Sequence, residues 1–256
     1  MNKGTAQGDI EEINLVKELN RDKQSELWKI LDFGENHNLF AVRCSSKKYS
    51  KVHESKESPK TDIFIIKTND KIDLEDYFID EKILERQNIS FDYIENSGIS
   101  VKERESKSFT YHKMSQEPFC KVFGNYELGC AIQYFVKESD FHKNEVIEEK
   151  WKTNEKKVKE KLIELKDIHN YEEELELNNY KEIKQSAISL TKHIINNDKN
   201  ISDFIFRGVG AFENPFFVNY LYKEGKLIKD CYPSKYSITT GSGRSNGTSF
   251  TVVIKP

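Results

Sequence analysis

Apolar residues at Ile10, Ile13, Val16 and Leu19 recur every three residues through DIEEINLVKEL (9–19), the spacing of one helix face. A second amphipathic piece follows over 26–31 and ends near Phe33-Gly34. The apolar runs LFAVRC (39–44), TDIFIIK (61–67) and GISVKER (98–104) have the length and density of strands. Residues 70–95 predict mixed helix and loop. From about 144 to 197 the chain turns Lys/Glu-rich and predicts two helices. In the second, Tyr180, Ile183, Ala187, Leu190 and Ile194 make a narrow apolar seam. Two readings fit that seam: solvated helices packing on the main sheet, or a dimerisation pair. Residues 204–256 are aromatic and predict mostly strand. No internal repeat and no Pro/Gly/Ser linker marks a boundary. The expectation is therefore one α/β domain over 1–256, with a charged helical segment at about 144–197.

Composition narrows the class. Aromatic residues make up 12% of the 256, enough for a core, so a wholly disordered chain is excluded. Five Pro and 12 Gly exclude a collagenous or low-complexity chain. Cys44, Cys120, Cys130 and Cys231 include no CxxC pair, which predicts reduced thiols in an intracellular protein. The N-terminus has no apolar signal region, and no apolar stretch approaches the roughly 20 residues of a membrane span. The expectation is a soluble cytoplasmic protein with no membrane partner.

Forty Lys and Arg against 43 Asp and Glu give a net charge of −3, which excludes a uniformly basic, histone-like protein. The charge is uneven, however: +4 over 43–60, +4 over 204–256 and −6 over 70–95. A basic cleft inside an acidic chain still attracts nucleic acid, so the mean decides nothing. The acidic 70–95 stretch is then expected to face away from any DNA cleft. There is no GxxxxGK[ST], GxGxxG or HExxH, the GSGRSNG stretch (241–247) does not read as a serine-hydrolase elbow, and the six His lack zinc or HNH spacing.

One constellation carries chemistry. In SPKTDI (58–63) a Lys-rich loop delivers Asp62 at the start of an apolar strand. In GISVK (98–102) strand alternation puts Ser100 and Lys102 on one face and Val101 on the other. If the two strands pair, Asp62 and Lys102 meet at one end of the sheet. Metal-dependent phosphodiester hydrolysis uses such a carboxylate for Mg²⁺ and such a lysine to position or help deprotonate the attacking water. Taken alone, Asp62 also reads as a loop-end cap and Lys102 as a strand-edge charge.

These residues resemble the PD-(D/E)xK nucleases, and more narrowly the type II restriction endonucleases that cut short GC-containing palindromes. The resemblance runs through SPKTDI, SVK (100–102) and the Ser/Lys run of 106–108, and extends weakly to FRGVGAFENPFFVNY (206–220). It implies a mixed central sheet flanked by helices. The family pattern has Glu or Asp two residues before the lysine; here that place is Ser100, while some such enzymes carry Asn or Gln. The resemblance implies that the N-terminal helix supplies another carboxylate, matched to Glu12 with Glu11 as alternate. Asp9 and Glu12 equally form a capping-box-like pair. It further implies Mg²⁺ held by Asp62, Glu12 and the Val101 carbonyl, with 5′-phosphate products. Glu103 points away from Lys102 by strand alternation and, like Glu105, is a weaker candidate.

For DNA contacts, Ser106, Lys107, Ser108 and Lys113 follow the catalytic strand and suit phosphate oxygens, as do Lys47, Lys48, Lys51 and Lys60. Each also reads as an ordinary solubilising side chain. Arg207 and Arg244 are the candidates for reading guanine. Arg244 lies in TTGSGRSNGTSF, which is either a DNA-approaching loop or an ordinary hairpin turn. The expected partners are double-stranded DNA, a second copy of the chain in a homodimer, and a companion DNA methyltransferase. A structure-specific repair or recombination nuclease on the same fold is the alternative enzyme. A non-catalytic DNA-binding or helical interaction protein is the alternative outside enzymes, favoured by Ser100 and the charged helices.

Overall fold

The computed structural model describes residues 3–34, 37–45, 59–102, 110–135, 141–229, 231–240 and 250–256, with 3–7 and 141–143 by backbone alone. Helix α1 (Lys3–Arg21) is longer than its apolar spacing predicts, beginning six residues before Asp9. Asp9 and Glu12 therefore lie inside the helix, and the capping-box reading of that pair is corrected. Its buried stripe is Leu15, Val16 and Leu19. Asn20 fixes the helix to strand β1 (Leu39–Arg43): its amide donates to the Ala41 carbonyl at 2.9 Å and accepts from the Ala41 N–H at 2.8 Å.

The described chain forms two compact units. The first takes residues from 1–107 and 206–232. Besides α1 and β1 it contains α2 (Glu26–Leu31), β2 (Ile63–Lys67), α3 (Glu81–Gln87), β3 (Asp92–Tyr93) and β4 (Ile99–Val101). Its sheet is mixed. Strand β2 lies antiparallel to β1, and β4 and the short β3 pair with β2. Strand β6 (Tyr220–Lys223) runs parallel to β4, and β7 (Lys226–Ile228) closes the order β1-β2-β4-β6-β7. Parallel neighbours need a long crossover, and here that connection carries all of 108–205.

Strand β2 explains its own sequence. Ile63, Phe64, Ile65 and Ile66 are all fully buried, so the run is continuous rather than alternating. Ile63 and Ile65 pack with Leu15, Leu19, Trp28, Leu31 and Tyr220 on the α1 face. Phe64 and Ile66 pack with Val42, Ile72, Ile79 and Leu84 on the other. Each such side chain contributes about 2 kcal/mol. The 70–95 stretch thus supplies apolar residues to one face of the sheet while its charges remain mostly outside.

The second unit takes residues from 108–205 and 233–256. Three antiparallel strands, β5 (His112–Met114), β8 (Ser237–Thr240) and β9 (Val252–Lys255), run in the order β5-β9-β8. The helices are α4 (Gln116–Phe123), α5 (Glu127–Gln133), α6 (Phe141–Lys150), α7 (Glu155–Ile168), α8 (Tyr180–Asn197) and α9 (Lys199–Arg207), the last crossing back into the first unit at Phe206.

Three helices occupy the stretch expected to hold two. Asn154 and Asn179 cut it, each accepting a bond from a first-turn N–H. The predicted seam on α8 is real, with Ile183, Ala187, Leu190 and Ile194 buried. It packs on α5 of its own unit, buried from Leu128 to Gln133, where the expected partners are the main sheet or a second copy. Gly129 of α5 admits the ring of Trp151, since a Cβ there would lie 2.0 Å from Cζ3. No helix among the described residues is long and apolar enough to cross a membrane.

Candidate active site

Strands β2 and β4 do pair, through Ile63 and Ile99, and that register puts Asp62 beside Ser100 and Val101. The Asp62 backbone is clamped on both sides. Its N–H donates to the Ile99 carbonyl at 2.9 Å, and its carbonyl accepts from the Cys44 N–H at 2.8 Å. Its carboxylate Oδ2 accepts from the Val101 N–H at 2.7 Å and from the Ser100 hydroxyl at 3.2 Å. In a strand the N–H and C=O of one residue point the same way. The Val101 carbonyl therefore faces the Asp62 side of β4, while its side chain packs into the α1-side core.

This close approach depends on Gly98. A Cβ there would lie 2.1 Å from the Phe217 carbonyl and 2.4 Å from Thr61 Oγ1. Asp62 thus reaches β4 because its neighbour Thr61 has room to lie against a glycine.

The electrostatics are those of a crowded strand end. Burial pushes the Asp62 carboxyl up, opposed by the positive charge of Lys102, the bonds from Val101 and Ser100, and the charge of Arg43. Glu12 of α1 is pushed up to about 7, first by burial and then by the negative charge of Asp62. Arg43 pulls Glu12 the other way: its Nε donates to Glu12 Oε2 at 2.7 Å, and its Nη2 to Asp9 Oδ1 at 2.5 Å. Three carboxylates (Asp62, Glu12 and Asp9), one arginine and one lysine therefore gather where β1, β2 and β4 end.

Each residue that the sequence singled out has a defined position or lies outside the described residues. Asp62, Ser100, Val101, Lys102 and Glu12 come together. Ser100, 5% exposed, supplies a hydroxyl to Asp62 where the family pattern has an acid. Lys60 sits two residues before Asp62 with its stem against Gly208 (φ +82°), where an added Cβ would lie 3.1 Å from the Lys60 Cγ. Burial and the nearby Lys102 lower its ammonium to about 7. Arg207 donates from Nε to the Val218 carbonyl at 2.9 Å and from Nη2 to Asn219, and lies over the Phe217 ring. Lys113 is exposed on β5 of the second unit. Lys47, Lys48, Lys51, Ser106, Lys107, Ser108 and Arg244, with Glu103 and Glu105, lie outside the described residues.

Two residues escaped the sequence reading. Arg43 counts only as charge in the sequence, because its partners Glu12 and Asp9 are remote along the chain. Glu81 belongs to the acidic stretch. It is 5% exposed and its Oε2 accepts from the Ser45 N–H at 2.7 Å. Burial raises the Cys44 thiol, and the charges of Glu81, Asp62 and Glu12 raise it further, so these three acids share one neighbourhood.

Among the described residues no three His, Cys, Asp or Glu side chains converge as a metal-binding group. The donor chemistry nevertheless fits a hard divalent cation. Asp62 and Glu12 are two oxygen donors whose mutual repulsion a cation would relieve, and Mg²⁺ completes its shell with water. The chain matches no protein-family model, no curated protein and no solved structure.

Proposed function

We propose that this protein is a Mg²⁺-dependent, sequence-specific double-strand DNA endonuclease of the type II restriction class. The observation that supports this most strongly is the ordered cluster at the strand ends: Asp62 beside Val101 and Ser100, Glu12 electrostatically coupled to Asp62, and the charge of Lys102 acting on Asp62. Asp62 and Glu12, with the Val101 carbonyl, are the groups that would hold Mg²⁺. When bound, the cation neutralises charge building on the scissile phosphate. Lys102 orients the attacking water and helps remove its proton. Ser100 holds the Asp62 carboxylate in place by its hydroxyl. Arg43 holds Glu12 and balances its charge while the site is empty of substrate. The products carry 5′-phosphate and 3′-hydroxyl ends, and a companion methyltransferase protects the host.

A two-fold symmetric homodimer suits a palindromic substrate. Phosphate contacts from the basic loops make binding fall steeply with salt despite the acidic pI.

A binding-only reading draws on one observation, the Arg43–Glu12 ion pair, which neutralises one of the two acids. Plasmid digestion separates the readings. The expected result is a fixed set of fragments with Mg²⁺ or Mn²⁺ and none with chelator. DNA shifted on a gel but never cut means binding only. Cutting without fixed fragments means a structure-specific nuclease. Normal cutting by Asp62→Ala and Lys102→Ala removes the site assignment.

A further inference from the structure

At the end of β4 and β6 remote from Lys102, a pocket of about 340 Å³ is lined by Asn96, Arg207, Asn219, Lys229, Cys231 and Tyr232, with Tyr220 also in its wall. Four features give it a chemistry. The Asn219 Nδ2 is buried with no hydrogen-bond partner among the described residues, while its Oδ1 accepts from Arg207. A buried amide donor without an acceptor is costly, and the natural complement is an acceptor on a ligand. Arg207 is held in orientation by the Val218 carbonyl and the Phe217 ring, so its charge is fixed at the wall. Lys229 is exposed, adding a second positive charge, and no described lining residue is acidic. Tyr232 is 38% exposed, with Phe206 at 74° against its ring. The Tyr220 hydroxyl is tied to the Leu31 carbonyl at 3.0 Å, which makes that wall rigid.

An inorganic anion would use the two cations and leave the aromatic ring and most of the volume without purpose. A nucleotide uses all of it: a phosphate for the cations, a flat base for the ring, and a base edge rich in acceptors for the amide. The volume falls within the range of small-ligand sites. We propose that this pocket binds one nucleotide unit, with its phosphate toward Arg207 and Lys229, its base on Tyr232 and an acceptor edge at Asn219. The unit arrives either as a free nucleoside monophosphate or as a nucleotide swung out of a DNA strand. Only the second source rests on the nuclease reading.

The test is calorimetric titration of the full chain, in chelator, with the four deoxynucleoside 5′-monophosphates and with inorganic phosphate. Chelator and the absence of any cutting readout keep the result independent of nuclease activity, and Asp62→Asn should bind as wild type does. At least one nucleotide is expected to bind about tenfold more tightly than phosphate. Lys229→Gln, an exposed change with no burden on folding, should weaken it about tenfold. Asn219→Asp keeps the acceptor for Arg207, removes the donor and should weaken it further. No nucleotide binding below about 10 mM, equal binding of phosphate, or unchanged affinity in both variants overturns the proposal. With duplexes carrying 2-aminopurine, a fluorescence rise in wild type that Asn219→Asp loses assigns the pocket to an extruded nucleotide. Nucleotide binding without that rise assigns it to free nucleotides.

Discussion

Asp62 and Glu148, one in each unit, are both carboxylic acids whose proton affinity burial raises. Their company separates them. Glu148 accepts from the Tyr134 hydroxyl at 2.9 Å, and the charges acting on it are the acids Glu155 and Glu145. A proton relieves that repulsion, and what remains is a hydrogen-bonded acid beside a buried tyrosine. Asp62 is opposed by Lys102 and Arg43, bonded by Ser100 and Val101, and raises a second acid, Glu12. A proton on one acid does not use the lysine or the second carboxylate. A raised carboxyl is thus a common product of burial. Acids and bases gathered at the ends of adjacent strands are what point to chemistry.

The largest expected effect is on cutting. Lys102→Ala or Asp62→Ala should lower the rate of plasmid cleavage about 1000-fold, the range of a lost acid–base group, while Glu148→Gln stays near wild type. Equal losses in all three would erase the distinction. Next is Gly98→Ala. A methyl there meets the Phe217 carbonyl and Thr61, so urea denaturation should show a loss of about 3 kcal/mol. Smaller is Glu12→Gln, which should raise the Mg²⁺ concentration for half-maximal cutting about tenfold while the maximum rate falls less.

A pH effect on the metal-free protein is also expected. The folded chain holds the Glu12 proton more tightly than the unfolded chain, with the group moving from 4.5 to about 7. Stability should therefore fall as pH rises from about 4.5 to 7 and level off above that. Denaturant midpoints taken across that window check the sign, and Glu12→Gln should flatten the slope.

Much of this was legible in the chain. Asp62 and Lys102 were readable because strand alternation and the antiparallel return of β4 onto β2 are local rules with a period of two. The mixed sheet was implied by the resemblance, and the sheet has that form. Glu12 was readable as a residue of the first helix. Its environment was not, because the extension of α1 back to Lys3 carries no apolar signal, which made Asp9 look like a cap. Arg43 stayed hidden because its two partners lie 31 and 34 residues away, beyond any local pattern. Glu81 disappeared into an acidic stretch whose average charge pointed away from the site. The division into two units was equally invisible: no linker marks it, and the second unit joins the 108–205 part of the crossover between parallel β4 and β6 to the C-terminal 233–256.

The central claim is that Asp62 and Glu12 are arranged for a divalent cation and Glu148 is not. Thermal melting at pH 8 with and without Mg²⁺ tests it most directly. Without metal, Asp62→Asn should melt above wild type, because an amide accepts the same two bonds without a buried charge. Mg²⁺ should raise the Tm of wild type and of Glu148→Gln and leave Asp62→Asn unmoved. No Mg²⁺-dependent shift in wild type, or an equal shift in Asp62→Asn, would contradict the account.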